Sequence, residues 1–133
     1  AQTVEPALKA GTWVLSDRFA DSTIAYQGYG HGINLQKLAD LHQIVLGDFK
    51  PDLTIILDLS VKDGLRRAIN RGDSEDRYER MGSDFHNRLR DGFLEIANAE
   101  TDRCVIIDAT KSINVVRQSV LFAMYSKFPE LKP

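Results

Sequence analysis

Apolar residues fall in two patterns along the chain: short unbroken runs, and longer stretches with helical spacing. The runs are Trp13-Val14-Leu15, Leu53-Thr54-Ile55-Ile56-Leu57 and Cys104-Val105-Ile106-Ile107. A short continuous run rich in β-branched residues reads as a strand buried on both faces, as in a parallel sheet covered by helices. Strands are therefore expected at 13–17, 53–58 and 104–107, ending at Asp17, Asp58 and Asp108. Between them, Leu35, Leu38, Leu41 and Val45 recur at helical spacing, with Asn34 as N-cap and Gly47 as stop. Val61, Leu65 and Ile69 follow Ser60, with Asp63 in the capping-box position. Phe85, Leu89, Phe93, Ile96 and Ala97 mark a long helix ending near Asn98. Val116, Val120 and Ala123 mark the inner face of a last helix, capped by Ser112. Residues 3–10 read as the end of a helix stopped by Gly11. Strands alternating with helices give an α/β fold with a parallel sheet. Gly28, Gly30 and Gly32 fit neither phosphate-binding fingerprint and read as a flexible connector. Residues 128–133 read as a frayed end.

Composition narrows the class. The chain has the length of one domain, and 43% hydrophobic residues against 27% charged supports a packed core. A net charge of -2 with no basic block argues against a nucleic-acid face. The apolar runs are too short to cross a bilayer and no secretory signal is visible. Cys104 is the single cysteine, which rules out an internal disulfide and reads as a buried, inert thiol. His31, His42 and His86 have no ligand-like spacing. A cytoplasmic protein fits these features.

Candidate chemistry gathers at strand ends. In an open parallel sheet, ligands bind in the crevice outside the carboxyl ends of the strands. Asp17 and Arg18 would sit at that rim. Arginine offers a planar fork for a phosphate, and a neighbouring aspartate can hold magnesium. Ser22, Thr23, Tyr26 and Gln27 follow, and together they suit a phosphorylated small molecule with a polar ring. The plainer alternative is a surface ion pair ending a strand. Three aspartates ending three strands at one rim favour the ligand site over simple turn formation. Residues 66–80 hold the densest charge cluster, readable as a solvated face or as an arginine-bearing lid.

The order of several motifs resembles the thymidylate kinase family. These are Asp17-Arg18 with an aromatic and then Ser22-Thr23-x-x-Tyr26-Gln27-Gly28, Pro51-Asp52-Leu53-Thr54 leading into Leu57-Asp58-Leu59, Arg71 through Asp76-Arg77-Tyr78-Glu79, and Val105-Ile106-Ile107-Asp108-Ala109-Thr110. The resemblance implies a three-layer P-loop nucleoside monophosphate kinase fold. It also implies transfer of the ATP γ-phosphoryl group to thymidine monophosphate, with Mg2+ as cofactor. Asp17 would organise magnesium and phosphates, and Arg18 would grip the acceptor phosphate. Ser22, Thr23 and Gln27 would line the thymine pocket. Tyr26 would pack under the deoxyribose and crowd a 2′-hydroxyl. Arg67, Arg71 and Arg77 would belong to the lid, and Asp108, Ala109 and Thr110 to the loop beside the adenine. The acceptor site would span about 13–32, the lid about 70–82 and the adenine-side loop about 108–112. A homodimer is the family's expectation.

One departure is large. Such a kinase needs Gly-x-x-x-x-Gly-Lys-Ser/Thr to cradle the ATP phosphates, and this chain has no Gly-Lys pair. Residues 1–133 therefore read as the C-terminal portion of a single kinase domain, inactive by itself. The rival readings are a deoxynucleoside kinase and a non-catalytic nucleotide-binding domain that has lost its phosphate loop.

Overall fold

The computed structural model describes residues 3–71 and 81–132, with the side chain of Arg71 outside that description. In chain order the elements are α1 (Val4–Lys9), α2 (Ala20–Thr23), a π-helix (Ile24–Gly30), α3 (Leu35–Leu46), β1 (Thr54–Asp58), α4 (Val61–Arg71), α5 (Ser83–Ala99), β2 (Cys104–Asp108), α6 (Ile113–Lys127) and a 3-10 turn (Pro129–Leu131).

Three helices start where their caps predict. The side chain of Asn34 accepts from the Lys37 amide at 3.2 Å, Ser60 Oγ from the Asp63 amide at 3.1 Å, and Ser112 Oγ from the Val115 amide at 3.5 Å. Each bond satisfies an N–H that the first helical turn leaves without a partner. Gly11 and Gly47 close α1 and α3 at φ 74° and 59°, a region that costs glycine little.

The strands β1 and β2 pair in parallel, in register from Thr54 with Cys104 to Asp58 with Asp108. Two of the expected aspartates thus stand side by side at one rim. The core lies between the π-helix and α5. Ala25, Phe85, Leu89 and Ile96 form its centre, with Ile24, Tyr26, Met81 and Phe93 packed around it. Cys104 is buried as expected, and burial pushes its thiol pKa up.

Three expectations are corrected. Residues 13–17 are not a strand. A strand is held by its neighbours, and no described strand pairs with this segment, where Leu15 is fully exposed. The glycine-rich connector is instead a π-helix, closed by the His31 amide donating to the Tyr26 carbonyl at 3.0 Å. Its glycines are there for close approach. A Cβ on Gly30 would stand 2.6 Å from Phe85 Cε2, and one on Gly28 would collide with Leu35. The C-terminal tail is also tied down: Phe128 meets the Trp13 ring edge-on at 4.8 Å before the 3-10 turn.

Candidate acceptor site at the end of β1

Arg18 is the one described non-glycine residue with positive φ, at 67°. That conformation is strained for a long side chain, and such strain collects at functional sites. The bend is supported by Ser16 Oγ, which donates to the Arg18 carbonyl at 2.8 Å. It carries the Arg18 guanidinium over the Tyr26 ring, 5.3 Å from the centroid. A guanidinium at that distance from an aromatic centroid makes a cation–π contact.

Arg18 and Tyr26 line a cavity of about 670 Å3 with Asp58, His86, Arg90 and Phe93. Asp58 ends β1, and Arg90 reaches it from α5 with a two-pronged pair: Nε to Oδ1 at 2.7 Å, Nη2 to Oδ2 at 2.8 Å. The Arg90 hydrogen bonds hold the Asp58 carboxyl below the usual carboxylate range against the opposing effect of burial. The cavity therefore has apolar walls, the rings of Tyr26 and Phe93, the Arg18 guanidinium and the Arg90–Asp58 ion pair. That combination suits a ring compound bearing an anion.

A larger concavity, about 790 Å3, lies between β2 and α6 and is walled largely by apolar residues such as Val105, Ile107 and Phe122. It lacks a convergent set of arginines, so the smaller cavity is the better candidate for phosphate chemistry.

The other sequence-predicted residues divide into groups. Asp17 is exposed beside Arg18, and no described ion pair or hydrogen bond engages its carboxylate. Ser22 is half-buried on α2; Thr23 and Gln27 are exposed, Thr23 at the end of α2 and Gln27 on the π-helix. None of these three lines the cavity. Arg67 is exposed on α4 and is likewise not in its wall. Arg77 lies outside the described residues, as does the Arg71 side chain. Asp108 and Thr110 form a tight turn: Asp108 Oδ1 accepts from the Thr110 amide at 2.8 Å and from its hydroxyl at 2.6 Å. These bonds hold the Asp108 carboxyl below its usual range, helped by Lys111 at 3.3 Å. Ala109 donates its amide to the Asp58 carbonyl at 2.8 Å, which joins this turn to the end of β1.

Sequence reasoning missed Arg90. Its one signal is position: it sits between Leu89 and Phe93, at the border of the apolar stripe of α5.

Comparison with known proteins identifies the family. The family model for thymidylate kinase matches residues 1–120. A thymidylate kinase of Rhodopseudomonas palustris is 54% identical over 108 residues, covering 80% of this chain and 47% of that protein. A thymidylate kinase of Nitrobacter hamburgensis is 46% identical over 123 residues, covering 91% of this chain and 54% of that one. The crystal structure of thymidylate kinase from Ehrlichia chaffeensis superposes with a TM-score of 0.69 at 34% identity, covering 92% of this chain and 55% of that one. The chain spans about half the length of the curated relatives it matches. On the strength of these matches, the chain belongs to the thymidylate kinase family.

Proposed function

We propose that these residues form the acceptor half of an enzyme that transfers the γ-phosphoryl group of ATP to thymidine monophosphate. The observation that carries the reading is Arg18, held at φ 67° with its guanidinium over the Tyr26 ring at the wall of the cavity that ends β1. In this reading an oxygen of the acceptor phosphate attacks the γ-phosphorus, the bond to the bridging oxygen breaks, and ADP leaves. Such transfer is mainly positioning and charge stabilisation, which suits a site with guanidinium groups. Arg18 grips the acceptor phosphate, and Tyr26 supports both the guanidinium and the sugar. Ser22, Thr23 and Gln27 stand on the same short segment outside the cavity wall, and contact with the base is their role in this proposal.

The lid roles of Arg67, Arg71 and Arg77 and the adenine-side role of Asp108, Ala109 and Thr110 belong to this proposal. A homodimer and a cytoplasmic location belong to it too. The exposed Ile44 and Val45 on α3 offer apolar surface for a second subunit. No described helix is long and apolar enough to cross a membrane.

Magnesium fits the residues present. No described group of three or more acidic, histidine or cysteine side chains could hold a metal alone. Magnesium commonly takes one or two carboxylates plus water and substrate phosphates, and Asp17 has a carboxylate to give. When bound, the ion would neutralise charge on the phosphates.

The test is calorimetric titration of the full-length gene product. Thymidine monophosphate should bind at least about tenfold more tightly than thymidine, since a charge-assisted bond to the phosphate is worth roughly 1.5–3 kcal/mol. Equal binding of the two would favour a deoxynucleoside kinase instead.

A further inference from the structure

We infer that Arg103, remote from the cavity, is a positioning residue for the acceptor segment and acts through Asp21. The inference rests on the acceptor-site reading above. Asp21 and Arg103 are 7% and 9% exposed, the two buried charged residues among those described. They form a fork-to-fork pair: Arg103 Nη1 donates to Asp21 Oδ2 at 2.8 Å and Nη2 to Oδ1 at 2.7 Å. The same guanidinium donates from Nη1 to Thr54 Oγ1 at 2.9 Å and from Nε to Glu100 Oε2 at 2.6 Å. Lys50 closes the network by donating to Glu100 Oε2 at 3.0 Å. The Arg103 carbonyl also accepts from the Thr54 amide at 2.7 Å.

One side chain thus ties α2 to the first residue of β1, to the end of α5 and to the entry of β2. Stability is a weak explanation for such a pair. Desolvating two charges costs about as much as their attraction returns, and apolar replacements are often neutral or better. What the pair gives is geometry, because a bidentate fork fixes both distance and plane. Geometry is what α2 lacks. It has four residues and no side-chain N-cap bond, far below the length at which a helix holds itself. Yet Asp21 lies on it three residues after Arg18 and directly before Ser22, and α2 continues into the π-helix bearing Tyr26 and Gln27. The acceptor-site residues therefore take their position from the strands through the Asp21–Arg103 pair.

The experiment uses the full-length enzyme and compares wild type with Asp21→Asn, Arg103→Met, Arg103→Lys and the Asp21→Asn/Arg103→Met double variant. Each single change should raise KM for thymidine monophosphate about tenfold, the cost of misplacing charge-assisted contacts. KM for ATP should move less than about twofold, and Arg103→Lys should fall between wild type and Arg103→Met. The double variant should be no worse than the worse single one, as expected of one coupled unit. A drop in melting temperature with both KM values unchanged, or an equal rise in both, would overturn the inference. A second readout needs no substrate: amide exchange over residues 20–30 should speed up in Asp21→Asn while β1 and β2 keep their protection. If wild type fails to phosphorylate thymidine monophosphate, the function proposed above falls. The clamp then stands or falls on this exchange result, and unchanged exchange over 20–30 would refute it.

Discussion

Arg90 on α5 and Asp58 at the end of β1 are joined by two parallel hydrogen bonds, at 2.7 and 2.8 Å, in the wall of the candidate cavity. The pair locks the long helix to the rim of the sheet. Both partners are partly exposed, so solvent screens much of their attraction. Arg90→Met should cost on the order of 1 kcal/mol, or a melting temperature lower by a few degrees. Thermal denaturation of the full-length protein checks this, and an unchanged midpoint would mean the bonds add nothing measurable.

Two glycine-to-alanine changes should have opposite signs. Both Gly64 and Gly92 lie inside helices, where alanine is intrinsically favoured by about 1 kcal/mol. At Gly64 the nearest obstacle is Leu59 Cδ2, 3.8 Å from the new Cβ, which is ordinary contact. Gly64→Ala should therefore stabilise by up to about 1 kcal/mol. At Gly92 the Cβ would stand 2.5 Å from Tyr29 Cγ. Overpacking of that kind costs roughly 1–3 kcal/mol and should outweigh the helix gain. Denaturant titration of both variants decides it, and two shifts of the same sign would contradict the packing between α5 and the π-helix.

Acid should weaken the Glu100 network. Hydrogen bonds from Arg103, and secondarily from Lys50, bring the Glu100 carboxyl from its ordinary 4.5 down to about 2. A carboxyl lowered on folding contributes stability that is whole above the unfolded value and is lost as pH falls through the folded one. The stability difference between wild type and Glu100→Gln should thus be larger at about pH 5 than at about pH 3. A difference independent of pH would place Glu100 outside the network.

The caps and the two paired strands were legible because each rests on neighbours in the sequence, although the strands are not covered on both faces: β1 has no buried residue, and Leu57 and Ile106 are exposed. Asn34, Ser60 and Ser112 bond amides three residues on, and the runs at 53–57 and 104–107 carry their own burial signal. Residues 13–17 have the same apolar signal but no strand, because a strand needs a paired neighbour and no described strand runs beside this segment. The π-helix was illegible for a different reason. Gly28 and Gly30 look like flexibility in one dimension, whereas their lack of a side chain serves contacts with Leu35 and Phe85. In the candidate site, the Arg18 and Tyr26 of the cavity wall were readable from the local motif. Arg90 with Asp58 and Arg103 with Asp21 meet across 32 and 82 residues, and no local pattern marks such pairs.

A polypeptide of these 133 residues expressed by itself should transfer no phosphoryl group and should be poorly soluble. It contains no Gly-Lys phosphate loop, and ATP needs such a cradle of backbone N–H groups. It also leaves Leu15 and Leu57 exposed, at 100% and 55%, along backbone with no described sheet partner on that side. The check is expression of these 133 residues beside the full-length gene product. A soluble, cooperatively melting, active 133-residue polypeptide would contradict the prediction.

The central claim is that Arg18, set over the Tyr26 ring, holds the acceptor phosphate. Steady-state kinetics of Arg18→Lys in the full-length enzyme test it most directly. Lysine keeps the charge but loses the fork. The kcat/KM for thymidine monophosphate should fall about tenfold or more, from the loss of roughly 1.5–3 kcal/mol, with KM for ATP little changed. Kinetics indistinguishable from wild type would remove Arg18 from the site.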